Sequence, residues 1–308
     1  MKRIHFFLAF SLANALLFAQ NAKPIAGTIK HFEQVKSSYG IAPRNVDVWL
    51  PEGYSAKQKY AVVYMHDGQM LFDSTTTWNK QEWGVDETLT KLMVEKRIKS
   101  CIVVGVWNDG KNRHSDYFPQ KPFESLPETY RDSLIHQAKR NKETALFSRN
   151  VQSDAYLKFL VTELKPFIDS SFSTKKDRNN TFIAGSSMGG LMSMYALCEY
   201  PSVFGGAACL STHWLGIMPS PNNPFPDAFV DYLSKNLPNP KQHTFYFDYG
   251  NQTLDAFYKP CQTKVDDVMA KKGYNAKNWQ TREFLGADHS EKSWKARLDI
   301  PFLFLLKK

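Results

Sequence analysis

The sequence has few of the features that mark specialised protein classes. Only four of its 308 residues are cysteine, and none of them has the Cys-x-x-Cys spacing of zinc or thioredoxin-like sites. It contains no internal repeat, no low-complexity segment and no run of five or more basic residues. These absences exclude a collagen-like repeat, a coiled coil and a disordered tail protein, and they argue against nucleic-acid binding.

The composition is that of a globular protein. Hydrophobic residues make up 43% of the chain and charged residues 22%, and its length favours one large domain over two small ones. The formal net charge is +9, which becomes 9 − 2 = +7 if Lys2 and Arg3 are removed with a leader. Aromatic residues reach 14%, which fits a large core or a cleft that stacks rings or sugars.

The amino terminus has the layout of a secretory signal peptide. Lys2 and Arg3 form a short basic region, residues 6–18 are mostly apolar, and small residues suited to cleavage follow at 19–22. The apolar stretch is shorter than the ~20 residues that a membrane-spanning helix needs, although an uncleaved anchor is the alternative. We therefore predict a signal peptide at 1–20, a single domain at 21–308, and an exported protein, periplasmic or secreted, with no membrane association after cleavage.

Short apolar runs alternate with helical patterns along the rest of the chain. The runs lack polar alternation, as strands covered on both faces do. This order predicts an α/β fold with a mostly parallel central sheet and helices on both faces. The predicted strands are 27–36, 45–50, 60–65, 101–106, 181–184, 205–210, 244–249 and 279–285, and the predicted helices are 86–95, 153–169, 189–199 and 254–272.

Two segments interrupt the alternation. Residues 111–150 are polar and aromatic, residues 213–242 are rich in Pro and Asn, and each follows a predicted core strand. Ligands of open α/β sheets bind at the carboxyl ends of strands, so we predict functional insertions near 111–150 and 213–242. Simple surface insertions are the alternative.

The clearest chemical motif is Gly-Ser-Ser-Met-Gly at 185–189, which fits G-x-S-x-G with Ser187 at its centre. It follows the predicted strand 181–184 and precedes the helix at 189–199. A tight strand-to-helix turn needs small flanking residues and exposes the serine oxygen at the top of the sheet. We predict Ser187 as a nucleophile; Ser186 is the rival serine.

A serine hydroxyl needs a base, and three histidines follow Ser187. His243 begins a strand at the wrong end, and His213 follows the fourth core strand, from where it could line the cleft. His289 follows the last strand, where the base of such folds lies in the order Ser, acid, His. His289 is therefore the predicted base.

The acid that orients the base should follow the fifth core strand. Asp255 lies in the loop after it and is the predicted acid; Asp248, Asp266 and Asp288 are the alternatives.

An oxyanion formed during attack needs two backbone N–H donors. The residue after the nucleophile, Met188, supplies one by position. The other should come from the loop after the first core strand, where Gln69 is the candidate and Gly68 the next.

With these residues in place, the chain resembles the "Putative esterase" family of α/β-hydrolases, which includes esterase D, feruloyl, acetylxylan and enterochelin esterases and mycolyltransferases. The resemblance covers roughly residues 46–306. It implies an α/β-hydrolase fold and supports Ser187, His289, Gln69 and Met188 in the roles given above. Among such relatives the position of the acid varies most. A relative's acid could correspond to Gln252, but a glutamine cannot ionise, so the resemblance points to Asp255. The resemblance rests on residues 64–73, 83–87, 163–166, 183–190, 200–204 and 288–291.

The resulting hypothesis is a serine carboxylic-ester hydrolase that forms an acyl-enzyme and needs no metal or organic cofactor. Its expected partner is a small-molecule or oligosaccharide ester, with acetyl or feruloyl esters of polysaccharides favoured by the aromatic insertions and export. A siderophore (enterochelin-type) esterase, an acyltransferase and a non-catalytic carbohydrate-binding module are the alternatives. The predicted substrate-binding residues are Trp214, Trp107 and Tyr117, and Trp78 and Trp83 are further stacking candidates.

Overall fold

The structure is a computed structural model that describes residues 22–308. The predicted signal peptide at 1–20 lies outside the described residues and stays a prediction. Within the described part, no helix is long and apolar enough to cross a membrane.

One sheet of eight strands organises the described chain. Its strand order is β1-β2-β4-β3-β5-β6-β7-β8. The pairs β1–β2 and β2–β4 are antiparallel, and the other five pairs are parallel. The predicted mostly parallel α/β sheet is therefore confirmed. The strands are β1 (Thr28–Val35), β2 (Arg44–Leu50), β3 (Ala61–His66), β4 (Cys101–Val106), β5 (Thr181–Ser186), β6 (Gly206–Leu210), β7 (Thr244–Gly250) and β8 (Trp279–Phe284).

Helices cover both faces of the sheet. A π-helical stretch, Phe159–Leu164, joins the helices Ser153–Lys158 and Lys165–Ser171. The helices are α1 (Val85–Val94), α2 (Arg113–Tyr117), α3 (Gln120–Glu124), α4 (Glu128–Gln137), α5 (Ser153–Lys158), α6 (Lys165–Ser171), α7 (Met188–Glu199), α8 (Phe225–Asn236), α9 (Lys259–Lys271), α10 (Glu291–Lys295) and α11 (Asp299–Leu305).

The core forms two layers because side chains alternate across each strand. Val62 and Tyr64 of β3 face the layer that contains α7 and α8. Val63 and Met65 of the same strand face the layer under α1 and α11. With apolar side chains on both faces, β3 reads as one continuous apolar run, as the sequence predicted.

Both predicted insertions follow the carboxyl ends of strands, β4 and β6, but much of each is helical. Segment 111–150 contains α2, α3 and α4, and segment 213–242 contains α8. Phe225, Phe229 and Leu233 are spaced by four residues and are all buried, which accounts for α8. The composition of the segment masked this periodicity.

The four cysteines are free and buried. Two of them, Cys101 and Cys209, lie inside β4 and β6.

Candidate active site

Ser187 occupies a strained turn between β5 and α7. Its backbone has φ 54° and ψ −121°, which non-glycine residues rarely adopt. Its N–H donates to the Leu210 carbonyl at 2.9 Å, which ties the turn to β6. A Cβ on Gly185 would lie 2.7 Å from the Gly189 backbone, and one on Gly189 would lie 3.1 Å from the Cβ of His66. Gly185 is therefore required by close packing, and the space beside Gly189 is tight.

His289 and Asp255 meet from two different loops. Nδ1 of His289 lies 2.5 Å from Oδ1 of Asp255, and the His289 backbone N–H donates to Thr253 Oγ1 at 2.9 Å. The imidazole packs edge-on against Trp294, with ring centres 5.1 Å apart. Because Nδ1 faces the carboxylate, Nε2 is the nitrogen left to act on a substrate or on Ser187.

The second oxygen of Asp255 is held by two buried donors. Oδ2 accepts from Ser211 Oγ and from the Gly250 N–H, both at 2.6 Å. Burial by itself would raise the pKa of Asp255, but the hydrogen bonds from His289, Ser211 and Gly250 outweigh it and keep that pKa below its usual value. Asp255 is therefore held as a carboxylate.

Ser211 links this acid to a deeper network. Its Oγ also accepts from Trp294 Nε1 and Arg297, both at 2.9 Å, so its own proton is directed at Asp255. Arg297 in turn binds the buried Asp248 at 2.9 Å. Sequence reasoning missed Ser211, because nothing in its local sequence marks it.

The alternative acids and bases have other partners. Asp248 is paired with Arg297, while Asp266 accepts from Thr281 Oγ1 at 2.7 Å, away from His289. Asp288 accepts from the hydroxyls of Ser290 and Ser293. Both ring nitrogens of His243 face backbone carbonyls, those of Asn239 and Pro201.

His213 lies close to Ser187 without joining the acid. The backbone N–H of His213 donates to the Ser187 carbonyl at 3.1 Å, and the ring Nδ1 lies 2.8 Å from the hydroxyl of Tyr258. Burial, reinforced by the charges of His289 and Arg113, lowers the pKa of His213 to about 3. His213 is therefore neutral at physiological pH.

The predicted oxyanion donors lie beside this turn. Met188 is the first residue of α7, where backbone N–H groups have no acceptor within the helix. Gln69 lies in the one-turn helix Gly68–Met70 after β3 and lines the cleft. A Cβ on Gly68 would lie 2.4 Å from the Gly105 carbonyl carbon, so this turn sits directly on β4.

A cleft of about 700 Å³ contains Ser187 and His289. Asp67 on its wall is clamped by Arg113, whose Nε and a terminal nitrogen donate to its two oxygens at 2.7 and 2.6 Å. Asn108 adds a third bond at 2.8 Å. Burial alone would raise the pKa of Asp67, but Arg113 and Asn108 hold it below its usual value. This clamp secures the loop that carries Gln69.

Three predicted substrate-binding residues are not part of the cleft wall, which corrects that expectation. Trp214 is buried and donates to Gln262 at 2.8 Å, and Trp107 donates to Asp47 at 2.6 Å. Tyr117 is fully buried beside His66. The rings of Trp214 and Tyr117 are buried in internal packing, whereas Trp107 is half-buried and packs against His31.

Other tryptophans line the cleft instead. Trp78, Trp83 and Trp294 all contribute to its wall, and Trp78 is 82% exposed. Trp78 and Trp83 were stacking candidates from the sequence, whereas Trp294 was missed. Within residues 22–308 no group of three or more His, Cys, Asp or Glu side chains is arranged to hold a metal ion.

The fold and the turn at Ser187 define an α/β-hydrolase. The chain belongs to the "Putative esterase" family, whose model matches residues 38–304.

Two curated proteins match parts of this chain in sequence. The chain is 24% identical over 180 residues to the uncharacterized protein YbbA of Bacillus subtilis, covering 58% of this chain and 60% of YbbA. It is 28% identical over 177 residues to an endo-1,4-beta-xylanase/feruloyl esterase of Xylanibacter ruminicola, covering 54% of this chain but 19% of that protein. The matches thus span less than two thirds of each relative.

Solved structures share the fold. The ferulic acid esterase AmCE1/Fae1A of Anaeromyces mucronatus superposes with a TM-score of 0.59 at 20% identity, covering 92% of this chain and 93% of that one. The ferric enterobactin esterase of Salmonella typhimurium gives a TM-score of 0.59 at 17% identity, covering 92% and 59%.

Proposed function

We propose that this protein is a serine carboxylic-ester hydrolase that works through an acyl-enzyme. One observation carries the proposal: the His289–Asp255 pair opens onto the same cleft as Ser187, which stands on a strained strand-to-helix turn. Membership of an esterase family supports the same class of reaction.

The geometry supports the following sequence of steps. Nε2 of His289 takes the proton of Ser187 as Oγ attacks the ester carbonyl carbon, and Asp255 stabilises the imidazolium. The backbone N–H groups of Gln69 and Met188 bind the oxyanion. Collapse breaks the bond to the alcohol oxygen, which receives the proton from His289. Water then attacks the acyl carbonyl carbon with His289 as base; the bond to Ser187 Oγ breaks, Oγ recovers its proton from His289, and the carboxylic acid leaves.

The substrate we favour is an acetyl or feruloyl ester on a polysaccharide. The exposed ring of Trp78 at the cleft offers a flat face for a sugar or an aryl group. The Xylanibacter relative is named as a xylanase/feruloyl esterase, and AmCE1/Fae1A as a ferulic acid esterase. Export through the signal peptide would bring the enzyme to such substrates, without nucleic acid or membrane as partner.

A siderophore triester is the second candidate. This candidate is favoured by the similarity of fold to the ferric enterobactin esterase, which is named as an esterase. Transfer of the acyl group to an alcohol other than water is a third outcome of the same acyl-enzyme, and a non-catalytic carbohydrate-binding module is the remaining alternative.

Hydrolysis of p-nitrophenyl acetate by the wild type, Ser187→Ala and Ser186→Ala tests the mechanism. Ser187→Ala should lose about 10⁴-fold or more in kcat, whereas Ser186→Ala tests the rival serine and should retain turnover. Equal activity of wild type and Ser187→Ala would refute the nucleophile. Release of ferulate or acetate from xylan fragments would support the polysaccharide ester, and activity only on catecholate triesters would refute it.

A further inference from the structure

The charged side chains of the cleft are unequally paired. Asp67 is neutralised by Arg113 in a two-point ion pair. Glu291 accepts from Asn79 at 2.9 Å. Arg140 also lines the cleft, and its guanidinium has neither an ion-pair partner nor a hydrogen-bond acceptor among residues 22–308. The cleft therefore presents one guanidinium whose charge no described residue meets.

The surroundings of Arg140 are short of negative charge. Arg140 is exposed to solvent at the cleft, and partial desolvation and then the nearby charge of Arg113 both lower its pKa. Asp67 could offset these charges, but its two oxygens are already taken by Arg113 and Asn108. An incoming anion would pair with Arg140 and would gain a charge-assisted hydrogen bond.

The backbone around Arg140 forms a closed hairpin that places this residue beside the cleft. The Arg140 N–H donates to the Thr144 carbonyl at 2.9 Å, and the Leu146 N–H donates to Ala138 at 2.8 Å. Oδ1 of Asn141 accepts from the backbone of Thr144 at 2.8 Å, and buried Leu146 anchors the hairpin to the core. Arg140 is thus presented by a fixed loop of the 111–150 insertion.

Two groups of residues on the cleft wall differ in character. The loop of Trp78 is tied to Glu291 through Asn79, so the tryptophan side already carries its own carboxylate. Arg140 and Arg113 come from the insertion that follows β4. A substrate with a flat neutral part and one anionic group matches both groups of residues.

We infer that Arg140 binds an anionic group of the substrate, so that the preferred ester carries a carboxylate on its acyl or its alcohol part. This inference rests on the proposed esterase function. A guanidinium matches a carboxylate with two parallel N–H donors, and Arg140 has no part in the proposed bond-breaking steps. Arg140 is therefore a specificity-determining residue.

Matched ester pairs test this directly. On the acyl side, 4-nitrophenyl hemisuccinate is compared with 4-nitrophenyl butyrate; on the alcohol side, 3-carboxyphenyl acetate is compared with phenyl acetate. For each pair the ratio of kcat/KM, anionic over neutral ester, is measured in wild type, Arg140→Gln, Arg140→Lys and Lys142→Gln. Lys142 lies on the same loop outside the cleft wall and controls for the long-range effect of removing one positive charge.

We expect Arg140→Gln to lower the ratio about tenfold in one of the two pairs, mainly through KM, with partial recovery in Arg140→Lys. The affected pair identifies the part of the ester that carries the anion. Added salt should reduce the wild-type ratio. Unchanged ratios in Arg140→Gln, or an equal fall in Lys142→Gln, would overturn the inference while the esterase function stands. Absence of hydrolysis of all four esters by the wild type would refute the function itself.

Discussion

The substitution Asp255→Asn tests how the carboxylate controls the tautomer of His289. Asp255 Oδ2 faces two donors, Ser211 O–H and Gly250 N–H, and Oδ1 faces His289 Nδ1. An asparagine would place its carbonyl oxygen toward the two donors and its NH₂ toward Nδ1. Nδ1 must then be an acceptor, so the proton moves to Nε2, which can no longer take the proton of Ser187.

The cost of recovering the active tautomer can be worked from the same contacts. Flipping the amide would turn its NH₂ toward Gly250 N–H and Ser211 O–H, and Ser211 cannot turn away because its oxygen already accepts from Trp294 and Arg297. Two buried donors left unpaired cost about 1–3 kcal/mol each, or about 2–6 kcal/mol together. Since about 1.4 kcal/mol is a factor of ten, kcat should fall by about 30-fold to about 2 × 10⁴-fold.

The assay is steady-state hydrolysis of p-nitrophenyl acetate at constant pH, with thermal unfolding to show that the variant is folded. Asp266→Asn is the matched control, because the same chemical change is made at an alternative acid that binds Thr281 instead of His289. A value of kcat within tenfold of wild type in Asp255→Asn would refute the argument. So would an equal loss in Asp266→Asn.

Two further predictions concern stability. Gly185→Ala places a Cβ 2.7 Å from the Gly189 backbone, so we expect it to lower the free energy of unfolding by about 1–3 kcal/mol, measured by urea denaturation; no change would show that the turn can adapt. The second prediction concerns pH. The pKa of His213 is about 3 in the folded protein and about 6.5 in the unfolded chain, so as the pH falls the unfolded chain binds a proton before the folded protein does. Its contribution to stability is complete above pH 6.5 and is lost as pH falls toward 3. Urea midpoints at pH 7 and pH 4 should therefore differ less in His213→Gln than in wild type, and equal differences would contradict this.

Much of the fold could be predicted because its signals are local. The predicted strands 60–65 and 244–249 agree with β3 and β7 to within a residue, since a doubly covered strand is apolar at most positions. The 213–242 segment was harder. Its prolines and asparagines suggested a loop, whereas the four-residue spacing of Phe225, Phe229 and Leu233 produces a helix.

The sequence by itself determined the turn at Ser187, because G-x-S-x-G after a strand and before a helix is a local steric requirement. It also narrowed the base and acid to His289 and Asp255, which the structure brings within 2.5 Å of each other. Their roles in turnover stay predictions until the assays above are made.

Only the tertiary structure decided which side chains surround that serine. Ser211 and Asp255 are 44 residues apart and meet because β6 and β7 are neighbours in the sheet. Trp214 and Tyr117 were predicted to bind a ligand, yet both are buried in the core. Trp78 and Arg140 line the cleft. Packing between distant segments sets exposure and pairing, and no local pattern encodes either.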